Sequence, residues 1–178
     1  VYLHLILIGF LRQTRSEIII AMGGGRGLAA RCFLTNLGQQ PVHISDVVVG
    51  AQARGAWYQA VLTDPDELAE SARADPLPAV DEAPLKSGEM HDLGTFSSLI
   101  GRLGKISEEM PVANEVDRIE IIVIATSAVS TRLVAARRCF TLGGSALGLR
   151  LRPVQPRTEQ IRSRLRVARL TRRIGVER

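Results

Sequence analysis

The chain has 178 residues, of which 46% are hydrophobic and 4% aromatic, and it carries a formal net charge of +5. This hydrophobic content excludes a wholly disordered chain, and the scarcity of aromatic residues argues against a nucleic-acid module built on base stacking. From Arg150 onward there are ten arginines against two glutamates, whereas the preceding residues carry 13 basic against 16 acidic side chains. The basic character therefore belongs to the C-terminal part of the chain.

The chain opens with the apolar run VYLHLILIGFL, which is followed by Arg12 and Arg15. These eleven residues, apolar apart from His4, are too few to span a bilayer, which needs about 20. Two interpretations stay open: the end of a membrane helix with a basic cytoplasmic flank, or a buried first strand. The first predicts a membrane-associated protein whose soluble domain lies on the cytoplasmic side.

Six runs rich in β-branched residues, separated by turn-forming residues, predict strands. They are Glu17–Met22, Leu28–Thr35, Val42–Val49, Trp57–Thr63, Ile119–Ala125 and Leu133–Leu142. Thr63–Ala74 predicts a short capped helix, and a second short helix beginning at Phe96 is expected to break at Gly101 and Gly104. An Arg-rich helical pattern follows Pro153. The predicted organisation is an apolar segment over 1–16, a β-sandwich over 17–150 and a basic helical tail over 151–178.

The glycine cluster Gly23–Gly27 lies between two of the predicted strands. Its second half, with Leu28 to Ala30, matches the pattern G-x-G-x-x-A, and Asp46 follows about 20 residues later, as in dinucleotide-binding folds. Over this short stretch the chain resembles the cofactor loop of short-chain dehydrogenases. The resemblance implies a truncated or divergent nucleotide-binding α/β oxidoreductase. Neither a Tyr-x-x-x-Lys pair nor continued strand–helix alternation supports it, so it stands as the alternative.

Two turn motifs suggest a different fold. They are Asn36-x-Gly38-x-x-Pro41, between two strands, and Leu85-x-x-Gly88-Glu89, before another. These motifs resemble those of bacterial immunoglobulin-like β-sandwich modules, which are often tethered to a membrane. The resemblance spans roughly Glu17 to Leu142 and implies a mostly β, antiparallel sandwich, here with a short helical insert and an Arg-rich C-terminal helix. The glycine cluster then becomes a hairpin connection with Arg26 exposed at its tip.

The sequence offers no assembled catalytic or metal-binding motif. The three histidines are not spaced with one another or with cysteine as zinc ligands are, and no nucleophile elbow accompanies His91-Asp92. Cys32 and Cys139 are interpreted as small core residues, paired only if the domain lies outside the cytoplasm. We therefore expect no enzyme activity, no cofactor and no metal.

The C-terminal arginines carry the functional prediction. Arg162, Arg166, Arg169 and Arg173 fall at i, i+4, i+7 and i+11, which places them on one stripe of a helix. Apolar residues flank the stripe on both sides: Ile161, Leu165 and Ala168 on one, Val167, Leu170 and Ile174 on the other. These features predict a non-catalytic binding or assembly module, membrane-associated, that docks to a protein partner or an anionic surface. Nucleic acid and a small-molecule substrate are not expected partners.

Overall fold

The computed structural model describes residues 17–62, 84–107, 115–127, 133–145 and 148–174. Their fold is mostly β, with two antiparallel sheets and few helices. The strands are β1 (Ile18–Gly23), β2 (Arg31–Asn36), β3 (Val42–Ala53), β4 (Ala56–Val61), β5 (Met90–Thr95), β6 (Val116–Ser127), β7 (Leu133–Ser145), β8 (Gly148–Pro153) and β9 (Glu159–Ile161). The helices are α1 (Phe96–Ile106) and α2 (Arg164–Ile174). The predicted N-terminal segment 1–16 and the predicted helix Thr63–Ala74 lie outside the described residues.

The smaller sheet has the strand order β1-β2-β5, and the larger has the order β4-β3-β6-β7, with β8 and β9 both pairing with β7. Alternate residues of both sheets contribute to one shared apolar core, as the two-residue period of a strand requires. Ile20 and Leu34 from the smaller sheet and Ile121 and Phe140 from the larger are fully buried in it. Each sheet therefore buries one face against the other, and the far face of the larger sheet is left for other contacts.

Helix α1 contributes a third element to this core. The Thr95 hydroxyl caps it by accepting a hydrogen bond from the Ser98 amide at 3.1 Å. The expected break at Gly101 and Gly104 is wrong, because the helix continues to Ile106. Four of its apolar residues recur with helical spacing and are buried, and this packing outweighs the low helix propensity of two glycines. They are Phe96, Leu99, Ile100 and Leu103.

The glycine cluster connects two antiparallel strands, as the hairpin interpretation predicts. β1 pairs with β2 in continuous register from Ile18 opposite Asn36 to Gly23 opposite Arg31. Gly24, Gly25 and Gly27 all have positive φ, a conformation that glycine adopts at little cost. A single 3₁₀ turn, Gly27–Ala29, completes the connection before β2 begins.

The two turn motifs meet at Asn36, where the chain leaves β2 for the larger sheet. The fully buried Asn36 amide donates to the carbonyls of Gln40 and Leu85, each at 2.9 Å, and its Oδ1 accepts from the Gly38 amide at 2.9 Å. Its backbone bonds to Gly88 and Glu89 in the second motif. One side chain thus joins two turns that lie about 50 residues apart in sequence, satisfying buried backbone groups that would otherwise be unpaired.

The expected helix after Pro153 is wrong in its first part. β8 and β9 both pair with β7, with bends at 154–157 between them, and α2 begins only at Arg164. The physical reason is pairing: Ile161 lies opposite Ala135 and is buried, which requires an extended backbone. Residue 151, where the sequence suggested a boundary, falls within β8.

The two cysteines lie in different environments. Cys32 is fully buried between the sheets, whereas Cys139 is half-buried on the far face of the larger sheet. Both are free thiols. The core interpretation therefore fits Cys32 and is wrong for Cys139.

Candidate functional site

The far face of the six-stranded sheet has two halves of different chemistry. The apolar half is formed by Val48, Ile122, Ile124, Ala135 and Ile161, with Val61 at its margin. Helix α2 covers it through Val167, which is 1% exposed, and through the half-buried Leu170. This contact fixes α2 to the sheet and sets which of its side chains point away from it.

The side chains of α2 that point away are mainly arginines. Arg166, Arg169 and Arg172 are exposed along the helix, and Arg162 is exposed in the two-residue link that precedes it. We call these four residues the helix arginines. None of them forms an ion pair within the described part of the chain.

The predicted four-arginine stripe is changed at its first member, Arg162, and stays a prediction at its last, Arg173. Arg162 does not belong to the helix, because β9 keeps the chain extended just before it. Arg173 belongs to the helix, but its side chain lies outside the described residues. Arg172, which the stripe omitted, is exposed on the same helix.

The two predicted apolar flanks of the stripe have different fates. Val167 and Leu170 pack on the sheet, and Ile161 belongs to β9. Leu165 is 73% exposed and Ala168 is also exposed. Among the described residues no helix is long and apolar enough to cross a bilayer.

The second half of the far face is polar and is not covered by α2. The register places Gln52, Arg118, Thr141 and Arg152 side by side on β3, β6, β7 and β8. Trp57 on β4 lies opposite Gln52 and extends this row by one strand. Arg150 lies opposite Gly143, two residues before Arg152 on β8. We call Trp57, Arg118, Thr141, Arg150 and Arg152 the open sheet face.

Of the arginines described on this face, one is paired with carboxylates and three are not. Between the open sheet face and α2, Arg137 bonds to Glu159 at 2.7 Å and lies 3.5 Å from Glu120. The hydrogen bond to Glu159 raises the pKa of Arg137. Arg118, Arg150 and Arg152 form no ion pair with any described residue, so these three cations are uncompensated.

The thiol of Cys139 lies next to these charges. Burial and then the Glu120 carboxylate raise its pKa to about 11, and its Sγ donates to Glu120 Oε1 at 3.3 Å. At neutral pH the group is therefore a protonated thiol. Since the thiolate is the nucleophilic form, this environment does not activate Cys139 for covalent catalysis.

Trp57 forms one wall of a groove on this face. A side chain at Gly50 would place its Cβ 2.5 Å from the Trp57 ring, so the indole lies across the bare backbone of β3. The groove has a volume of about 250 Å³ and is lined also by Arg118, Glu120 and Leu170 of α2. A second hollow of about 290 Å³ lies between Thr141 and the two arginines of β8.

The glycine cluster does not line this groove, and the elements that it connects differ from those of a dinucleotide-binding loop. Dinucleotide loops join a strand to a helix whose first turn faces the phosphates, whereas this loop joins antiparallel strands. A Cβ at Gly27 would lie 2.5 Å from the Leu149 carbonyl oxygen, so the loop packs against β8. The described residues also contain no group of three or more His, Cys, Asp or Glu side chains placed to hold a metal ion.

Comparison of the chain with protein-family models, with curated proteins and with solved structures found no match. Functional inference therefore rests on the chemistry of this surface.

Sequence reasoning missed the open sheet face for an identifiable reason. Arg150 and Arg152 are two residues apart, the spacing that places side chains on one face of a strand. The predicted boundary at residue 151 separates them, with Arg150 in the β-sandwich and Arg152 in the helical tail. Arg118 gave no signal, because only the pairing of β6 with β7, and of β7 with β8, brings it towards the other two arginines.

Proposed function

We propose that this protein is a non-catalytic binding module that docks an acidic protein partner through the helix arginines. The observation that carries the proposal is the anchoring of α2. Val167 and Leu170 hold the helix on the sheet, while the arginines face solvent without carboxylate partners in the described structure. Like charges on one surface repel one another, and an anionic partner relieves this repulsion and is attracted to the surface.

A protein partner fits this helix better than a lipid bilayer. Helices that lie in a membrane interface insert a broad apolar face below the head groups. In α2 the residues Val167 and Leu170 already pack on the sheet, and Leu165 is the one large apolar side chain of the helix described as exposed. What remains for a partner is chiefly positive charge, which carboxylates of a protein can pair with.

We further propose an immunoglobulin-like relationship for the fold. Two facing antiparallel sheets and the junction of both turn motifs at Asn36 support it. The expected membrane association depends on residues 1–16, which lie outside the described structure, and it stays a prediction.

The test uses a fluorescein-labelled peptide of alternating Glu and Ala, about 12 residues long, which spans about 40 Å when extended. Fluorescence anisotropy at low salt measures its binding to the full chain. R166Q/R169Q should weaken binding about tenfold, because each surface charge pair contributes about 0.2–1 kcal/mol. K86Q/K105Q removes the same charge from side chains that do not line the far face and should bind as the wild type does.

Two results would overturn the proposal. One is equal loss of binding in both double variants, which would show attraction to net charge alone. The other is binding of phosphatidylglycerol vesicles in preference to the peptide, which would make the surface a lipid-binding one.

A further inference from the structure

We infer that the open sheet face is a second contact surface for the same acidic partner, and that an extended acidic segment lies across it beside α2. The inference rests on the proposed function and deepens it by naming where the partner's chain runs. It starts from charge: Arg118, Arg150 and Arg152 are uncompensated within the described structure. Arg118 lies on β6, and Arg150 and Arg152 lie on β8, with only β7 between the two strands.

The dimensions of the face suit a peptide segment. From Trp57 on β4 to Arg152 on β8 the row crosses four strand-to-strand steps, which amounts to about 19 Å. An extended chain covers this distance in about six residues. Alternate side chains of such a segment point the same way, so acidic residues two apart face the arginines together.

The shape of the face favours a segment over a flat surface. The groove is lined by Leu170 of α2 on one side and by Trp57 on the other, with Glu120 and Cys139 between them. A helix with its side chains is about 10–12 Å thick, so the sheet lies well below the outer side of α2. A bilayer resting on α2 would not reach Arg118, whereas a peptide can enter beside the helix.

The aromatic content of the face disfavours single-stranded nucleic acid. Proteins that hold such strands stack successive bases on several aromatic side chains. Among the residues that the structure describes, Trp57 is the one aromatic side chain that lines the groove or the neighbouring hollow. Its ring, 39% exposed and lying across Gly50, suits one apolar side chain of a partner instead.

Trp57 also supplies a direct readout, because it is the only tryptophan in the chain. Unlabelled Glu–Ala peptide is titrated into the full chain and the tryptophan emission is followed. We expect binding to change the emission, and R118Q/R152Q to weaken the effect about tenfold. Both arginines lack ion-pair partners among the described residues, so their loss should leave the melting temperature unchanged. K86Q/K105Q is the matched control. If R118Q/R152Q has a lowered melting temperature, Arg150→Gln replaces it in the titration.

The outcomes separate the inference from the function on which it rests. If the labelled peptide binds but the emission stays constant and R118Q/R152Q binds like the wild type, the open sheet face is not a contact surface, although the helix arginines are. If the labelled peptide does not bind the wild type, the proposed function itself fails. An equal change of emission with phosphatidylglycerol vesicles or with oligothymidylate would overturn the assignment of a peptide to this face.

Discussion

The side chain of Gln160 forms a two-way hydrogen-bonded pair with the backbone of Ile18, 142 residues earlier in the chain. Its Oε1 accepts from the Ile18 amide at 3.2 Å and its Nε2 donates to the Ile18 carbonyl. The hydroxyl of Thr158 makes the equivalent pair with Ile20. These side chains therefore cover the outer edge of β1, as a neighbouring strand would.

Gln160→Ala should lower the free energy of unfolding by about 1–2 kcal/mol, because it unpairs two backbone groups. It should also promote aggregation, since an uncovered strand edge can pair with another chain. Gln155→Ala, an exposed glutamine in the preceding loop, is the control and should be neutral. Chemical denaturation and light scattering measure the two effects. Equal stability of both variants would show that the edge of β1 does not need this cover.

Asn36→Ala should be more damaging, with a loss of about 3 kcal/mol. The substitution removes three side-chain hydrogen bonds at a buried position. The Gly38 amide and the Gln40 carbonyl lose their side-chain partner, while the Leu85 carbonyl keeps its bond from the Val42 amide. Gln39→Ala changes an exposed side chain of the same turn and should cost little. A loss below about 1 kcal/mol in Asn36→Ala would contradict the role of Asn36 in joining the two turns.

The hairpin interpretation of the glycine cluster predicts unequal effects of two like substitutions. Gly24 and Gly27 have φ of +53° and +57°, but a Cβ meets nothing within 4 Å at Gly24 and lies 2.5 Å from the Leu149 carbonyl oxygen at Gly27. Gly24→Ala should cost about 1–2 kcal/mol for the left-handed backbone alone. Gly27→Ala should lower the melting temperature further. If the two variants melt alike, the loop does not pack on β8 as described.

The stability of the protein should fall steeply in alkaline solution. Burial, with a contribution from Asp92, raises the pKa of the Cys32 thiol from 9.0 to about 12. Between these values the unfolded chain loses a proton that the folded chain keeps, so stability decreases with rising pH by about 1.4 kcal/mol per unit. Cys32→Ala should show a shallower decline above pH 9. Parallel curves for the two proteins would show that Cys32 titrates normally in the fold.

Much of the fold followed from local patterns in the sequence. The six predicted strands correspond to β1, β2, β3, β4, β6 and β7, because each combines β-branched residues with a turn signal that bounds it. The structure of the C-terminal third could not be predicted in this way. Ile161 pairs with Ala135 and Gln160 reaches Ile18, and such long-range partners leave no local signature.

The surface chemistry was predictable only in part. Arg166 and Arg169 stood out as helical neighbours, whereas Arg118 and Arg152 become neighbours only through strand pairing. The direction in which α2 faces also depends on the apolar half of the sheet, formed by strands far apart in sequence. A surface assembled from four strands and a helix cannot be predicted from one stretch of chain.

Charge reversal at α2 tests the central claim most directly. R166E/R169E is compared with K86E/K105E, which has the same net charge, in anisotropy titrations with the Glu–Ala peptide. The account predicts that R166E/R169E loses affinity at least about tenfold relative to K86E/K105E. Indistinguishable affinities of the two variants would contradict it, because the position of the charges on α2 would then have no effect.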